Sequence, residues 1–202
     1  MSGIIRWARL YDAFFGRFLR STDARIAALA GIGVGQKALD VGCGPGRLAI
    51  ALQRRAGATG EVHGVDPSEE MIDLARRRAA EAGARVEFRV DGIEKLPYRD
   101  EMFDSVVTRL VLHHLPEDSK RQGFAELRRV LKPGGTLVVV EFMPPGNHVL
   151  ATLAFAFLHF GRRVDIRDFV PLLTEHGLTE IEEGRIRRSL FGFARGLVPH
   201  SS

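Results

Sequence analysis

Apolar residues come in short, nearly continuous blocks, separated by longer stretches in which every third or fourth position is apolar. The first block, "KALDVG" (37–42), ends at a glycine turn, and "RLAIALQRRAG" (47–57) reads as the helix after it. "EVHGVD" (61–66) is a second strand and "PSEEMIDLARRRAAEAG" (67–83) its helix. There Pro67 suits the first helical position, Glu69 and Glu70 suit the positive end, and Gly83 suits the stop. A third strand, "RVEFRVD" (85–91), alternates Val86, Phe88 and Val90, and "MFDSVVTRLVL" (102–112) contains a fourth. "RQGFAELRRVL" (121–131) is a helix burying Phe124, Leu127, Val130 and Leu131. "KPGG" (132–135) stops it and turns into the fifth strand, "TLVVVEF" (136–142).

Strands this uniformly apolar, alternating with helices, belong to a parallel sheet covered on both faces. The chain ends differently. "DIRDFVPLLTEHG" (165–177) reads as a helix closed by Gly177, and two strand-like runs follow, "LTEIEEGRI" (178–186) and "SLFGFARGLV" (189–198). The "RR" between them is too short for a crossover and permits only an antiparallel hairpin. The pattern therefore predicts an α/β fold: a Rossmann-like, doubly wound sheet of seven strands, mostly parallel, with a C-terminal antiparallel hairpin and helices on both faces. The 202 residues suit one domain. Within it the expected parts are an N-terminal helical lid (1–32), a core (36–142), a short apolar cap (143–165) and the final helix and hairpin (166–198).

Composition narrows the setting. A hydrophobic share of 45% with 27% charged residues is that of a globular chain. Arginines run through the N-terminal stretch where a secretory signal would need an apolar core, and the longest apolar run, 149–160, is short for a membrane span. The single cysteine, Cys43, excludes an internal disulfide and a cysteine-ligated zinc. These features predict a cytoplasmic protein, dissolved or resting on a membrane surface. The net charge of +4 is carried by arginines spread over helices, which gives nucleic-acid binding little support.

The chemistry gathers in "ALDVGCGPGRLAI" (38–50), where three glycines fall within five residues. Ligands of open parallel sheets bind at the strands' C-terminal ends, and three acids stand there: Asp40, Asp66 and Asp91. Half-buried carboxylates need hydrogen-bond donors, so a ligand rich in hydroxyl and amine groups is expected. Gly42, Gly44 and Gly46 leave room for it, and the helix from Arg47 aims its amides toward it. "GPGRLA" (44–49) also meets the relaxed dinucleotide pattern, with Asp66 where a ribose-binding acid sits. Three features favour a different nucleotide: Asp40 would repel a pyrophosphate but welcome an ammonium, Asp91 offers an acceptor to an adenine amine, and the terminal hairpin is foreign to a dinucleotide sheet. A ligand with an ammonium, a ribose and an adenine is S-adenosylmethionine.

"LDVGCGPG", "GVDPSEEMIDLARRRA", "FRVDGIEKLPYRDEMFDSVVTRLVLHHL" and "ELRRVLKPGGTLVVVEF" together resemble the consecutive motifs of class I S-adenosylmethionine-dependent methyltransferases. Within them the chain is most similar to the broad group that includes ubiquinone/menaquinone C-methyltransferases and many small-molecule and lipid enzymes. The resemblance is dense over residues 36–142 and rests on element order elsewhere. It implies that Asp40 and the loop Gly42–Cys43–Gly44–Gly46 hold the methionine part, with Gly44 allowing close approach. It further implies that Asp66 accepts the ribose hydroxyls and that Asp91, with the backbone of Gly92 and Ile93, fixes the adenine against Met71 or Pro67. The Arg109 backbone would face the ammonium and the methyl group. Cys43, near a helix start but with no partner base in sight, reads as a small packed loop residue.

A sulfonium methyl is already electrophilic, so alignment and exclusion of water carry much of the rate. A base is needed only for an acceptor that arrives protonated. His113 and His114 after strand four, and Tyr11 in the lid, are the candidates; none is assigned. Relatives that methylate quinone precursors carry a longer insertion after strand five, whereas residues 143–164 here are brief and greasy. With Ile4, Trp7, Tyr11, Phe14, Phe15 and Phe18 at helical spacing beside arginines, they read as a lid, as the mouth for a hydrophobic acceptor, or as a peripheral membrane or homodimer contact. The expected function is methyl transfer to a small, hydrophobic or lipid-like acceptor. A nicotinamide-dependent oxidoreductase and a non-catalytic cofactor-binding partner subunit stay open as alternatives.

Overall fold

The computed structural model describes residues 22–143, 165–186 and 189–200. Tyr11, the aromatic N-terminal stretch and the apolar run 149–160 lie outside them. Residues 22–29 are helical (α1). Strands β1 (Lys37–Val41), β2 (Glu61–Asp66), β3 (Val86–Val90), β4 (Phe103–Arg109) and β5 (Leu131–Phe142) follow, with helices α2 (Arg47–Ala56), α3 (Glu69–Glu81) and α4 (Glu117–Arg129) between them. A 3-10 turn (Leu112–His114) follows β4, and a second one (Ile166–Phe169), helix α5 (Val170–Glu175) and strands β6 (Thr179–Arg185) and β7 (Phe191–Leu197) complete the described chain.

The seven strands form one sheet in the order β3-β2-β1-β4-β5-β7-β6. The first five run parallel, and β7 inserts antiparallel between β5 and β6. This is the expected doubly wound sheet with its terminal hairpin. Side chains alternate faces along a strand, so four consecutive residues at 0% exposure in β5, Leu137 to Val140, require cover on both faces. Helices α2 and α3 lie against β1–β3, and α4 lies against β5. The chain leaves β1 for β2 and β3, then returns to place β4 on β1's other side. That reversal opens a crevice at the C-terminal ends of β1 and β4.

Three local expectations are corrected. Pro67 is not the first residue of α3: Ser68 is its N-cap, in extended backbone, and its hydroxyl accepts the Met71 N–H at 3.3 Å. The alternating valines of β3 are not buried alike. Phe88 is covered, but Val90 is 45% exposed, because β3 is the sheet's edge and only Phe88 reaches under its neighbours. Leu131 is buried as expected, yet it begins β5 opposite Phe103 rather than ending α4, so "KPGG" lies within the extended segment. The helix has already stopped, with Val130 as its C-cap.

Candidate active site

The loop from Gly42 to Gly46 is shaped by the protein's own hydrogen bonds. The N–H groups of Gly42 and Cys43 both donate to the Val65 carbonyl, at 2.8 and 2.9 Å, and Gly46 N–H closes a turn onto Cys43 O at 3.0 Å. Arg78 of α3 donates to the Pro45 carbonyl at 2.9 Å. The glycines serve different ends. At Gly42 (φ +70°) a β-carbon would sit 2.1 Å from Val111 Cγ2, and at Gly46 one would meet Ala75 and Phe88 at 2.9 Å. Both are demanded by packing of the protein on itself. At Gly44 (φ +50°) a β-carbon would have nothing within 4 Å, so this position alone holds open space above the backbone. Cys43 is buried, and desolvation, reinforced by Asp40 and Asp66, pushes its thiol far above the ordinary range. It is the inert packed residue its surroundings suggested.

Asp40, in β1 two residues before this loop, is buried at 1% exposure. Its Oδ2 accepts no hydrogen bond among the described residues. Burial pushes its pKa up to about 7; the Arg109 guanidinium pulls the other way, and Asp23 adds to the rise. Arg109, the last residue of β4, forms an ion pair with Asp23 from α1, and both side chains are 10% exposed. Its side chain therefore belongs to the electrostatics of the site, in addition to the backbone role expected for it. A carboxyl whose folded pKa is raised binds more protons folded than unfolded between its ordinary range and about pH 7. Its stabilising contribution is complete below that ordinary range and lost as pH rises through about 7. Asp40→Asn is therefore expected to remove about 2–3 kcal/mol of the decline in stability between about pH 5 and pH 8. Urea denaturation at the two values checks this, and parallel declines in wild type and variant refute it.

Asp66 ends β2, and both of its carboxylate oxygens are engaged: Oδ2 accepts Gly44 N–H and Oδ1 accepts Ser68 N–H, each at 2.9 Å. Desolvation raises its pKa, and these two N–H groups oppose the rise. It braces the open glycine, a role its position in the sequence did not reveal. The Asp91 N–H donates to the Asp66 carbonyl at 3.2 Å, which brings the ends of β2 and β3 together. Asp91, Gly92 and Met71 are half-buried around that point and Pro67 is exposed. The Ile93 side chain packs into the core against Gly123 of α4, so only its backbone can face a ligand.

Two acids of the site went unrecognised in the sequence. Asp23 carries no local signal. Glu141 does: it ends the apolar run of β5 as Asp40 ends that of β1, and a buried acid at that edge needs donors. Its side chain is 1% exposed. Oε1 accepts Leu112 N–H at 2.9 Å and His113 N–H at 3.4 Å, and Oε2 lies 2.8 Å from His113 Nδ1. An isolated carboxylate there would cost several kcal/mol. The chain reaches this arrangement through Leu110, whose φ of +58° is strained for a branched residue. The His113 ring lies 3.8 Å from that of His114 and 5.5 Å from that of Phe142. Val111, in contact range of Gly42, places this turn beside the glycine loop.

A sheet with β7 reversed between β5 and β6, a glycine loop after β1 and an acid ending each of β1 and β2 define a class. Residues 38–135 match the methyltransferase domain family. Over those residues the chain carries a methyltransferase domain of the class I S-adenosylmethionine-dependent kind. Among its relatives is the ubiquinone/menaquinone biosynthesis C-methyltransferase UbiE of Bordetella avium, 41% identical over 113 residues, covering 56% of this chain and 43% of that protein. The demethylmenaquinone methyltransferase of Staphylococcus aureus is 38% identical over 136 residues, covering 67% and 55%. The chain thus spans about half the length of these curated relatives. A crystal structure of a SAM-dependent methyltransferase from Aquifex aeolicus superposes with a TM-score of 0.68 at 22% identity, over 87% of this chain and 89% of that one. The cofactor of this class is S-adenosylmethionine. The nicotinamide reading of "GPGRLA" falls away.

Proposed function

We propose that the chain transfers a methyl group from S-adenosylmethionine to a small, hydrophobic or lipid-like acceptor. One observation carries the reading: the strand that leads into the glycine loop, whose only open position is Gly44, holds a buried Asp40 oxygen that no donor reaches among the described residues. A cationic amine donor fits that oxygen, and a phosphate does not. In this reading Asp40 and the Gly44 backbone hold the methionine part, with the Arg109 backbone facing the ammonium. The acceptor capacity that Asp66 retains beyond its two backbone bonds goes to the ribose hydroxyls. Asp91 with the backbone of Gly92 and Ile93 takes the adenine edge, with Met71 and Pro67 beside the ring.

The bound cofactor supplies a methyl group already activated by its positive sulfur. What the protein adds is a preformed loop, an acceptor held in line and exclusion of water. The two relatives, methyltransferases of ubiquinone/menaquinone biosynthesis and of demethylmenaquinone, support a quinone-type ring as the first acceptor to try. No described helix is long and apolar enough to cross a membrane.

Calorimetry with S-adenosylhomocysteine and with NADH, joined to methyl incorporation from labelled cofactor into a fractionated lysate, tests the proposal. Binding of the first ligand only, with label in the lipid-extractable or small-molecule fraction, is the expected result. Label in protein or RNA overturns the acceptor class. Binding without any incorporation favours the partner-subunit alternative.

A further inference from the structure

We propose that the cavity between α1 and the terminal hairpin is a second binding site, for a small organic anion: a carboxylate or phosphate monoester carried on an apolar body. The cavity measures about 310 Å³, at the small end of small-molecule sites. It shares no residue with the glycine loop or the acids around it, so its occupant is a ligand other than the cofactor. The site stands whether or not the crevice transfers methyl groups.

The register of the last two strands explains why space opens here. Phe193 and Arg195 stand on one face of β7, opposite Gly184 and Glu182 of β6. The other face of the hairpin is covered. There a β-carbon at Gly192 would meet Ile166 of the second 3-10 turn at 2.5 Å, and one at Gly196 would meet Leu178 at 3.0 Å. On the first face α1 presents Arg25, Ala28 and Leu29 to the cavity, the i, i+3, i+4 spacing of one helical stripe. Gly184 has no side chain to fill the gap, and the Phe193 ring leans over it, where an added β-carbon would lie 2.9 Å from Cε1. With Ile186, that ring gives the hairpin side an apolar lining.

Charge selects the occupant. Three guanidinium groups line this one cavity: Arg25 from α1, Arg185 from the end of β6 and Arg195 from β7. Arg185 is anchored, donating to the Met143 carbonyl at 2.7 Å, and acts as a fixed wall. Arg195 faces Glu182 at 3.8 Å, and both side chains reach water, so that pair is weak. Arg25 has no acid partner among the described residues. Like charges around one cavity repel, and an anion between them relieves the repulsion. A guanidinium is weakly hydrated and offers a planar fork of donors that matches a carboxylate or a phosphate. Leu29, Ile186 and Phe193 then cover the apolar body. An inorganic anion would leave that lining wet, and a neutral aromatic compound would leave the cations uncompensated.

Calorimetry with 2-naphthoate and 1-naphthyl phosphate, run with and without S-adenosylhomocysteine, tests the site. Binding of these probes is expected, with the same affinity in both conditions, weakened about 10- to 100-fold by Arg25→Gln and by Arg195→Gln. Ala28→Trp, at an exposed position of α1, fills the cavity and is expected to abolish binding while the melting temperature and S-adenosylhomocysteine affinity hold. Neutral 2-naphthamide and inorganic phosphate each lack half of the ligand and are expected to bind at least about 10-fold more weakly. Displacement of the probes by S-adenosylhomocysteine places them in the crevice and overturns the proposal. So do equal affinities in wild type and all three variants, or inorganic phosphate binding as tightly as the naphthyl ester. Sedimentation with phosphatidylglycerol vesicles without binding of either soluble probe overturns it too, in favour of a basic membrane-facing surface.

Discussion

Asp66→Ala is expected to weaken S-adenosylhomocysteine binding by about 2–4 kcal/mol, roughly 30- to 1,000-fold in Kd. Two losses combine in that figure. The ribose hydroxyls lose a charged acceptor, and Gly44 N–H loses the partner that fixes it at 2.9 Å, so the open position of the loop is no longer held in place. Ser68 N–H is freed as well, at the entry to α3. Calorimetry on the purified variant, with a thermal melt as control for folding, checks the expectation. Unchanged affinity in a folded variant means the ribose lies elsewhere and the carboxylate serves only the backbone.

Alanine at two glycines only two positions apart is expected to fail in opposite ways. Gly42→Ala drives a methyl group into Val111 at a left-handed backbone position, so strain and overpacking together cost about 2–5 kcal/mol of stability. Thermal unfolding should fall by roughly 5–15 °C. Gly44→Ala meets open space and costs only the backbone strain, about 1–2 kcal/mol. Its methyl group instead occupies the ligand's place and weakens S-adenosylhomocysteine by about 1–3 kcal/mol. Melting curves and calorimetry on the pair separate the two effects. A Gly44→Ala protein that binds as wild type does would show that the open space is not the cofactor's.

That contrast was not legible in the chain. "GCGPG" presents its glycines as equivalents, and only the neighbours decide that two accommodate protein and one faces a void. Asp40, Asp66 and Asp91 were legible because an acid that ends an apolar strand must find donors. Glu141 obeys the same rule and was passed over, because "VVVEF" closes the last parallel strand, beyond the three-acid edge. Asp23 gives no such sign: its partner Arg109 is far along the chain, and nothing in "STDARIAALA" distinguishes it from a solvated residue. α3 begins two residues later than the sequence suggests, since Pro67 and Ser68 both suit a helix start and only hydrogen bonding selects Ser68 as the cap.

The chain by itself determined the element order, the parallel core, the antiparallel ending and the edge proposed for the cofactor. All of these follow from hydrophobic period, turn length and glycine placement, which are local quantities. Only the tertiary structure decided which carboxylates meet which donors. Asp66 bracing Gly44 and Glu141 behind His113 join segments brought together by strand pairing, and Asp23 against Arg109 joins a helix to a strand. Hydrogen-bond and ion-pair geometry is set by distance in space, and sequence separation carries almost no information about it.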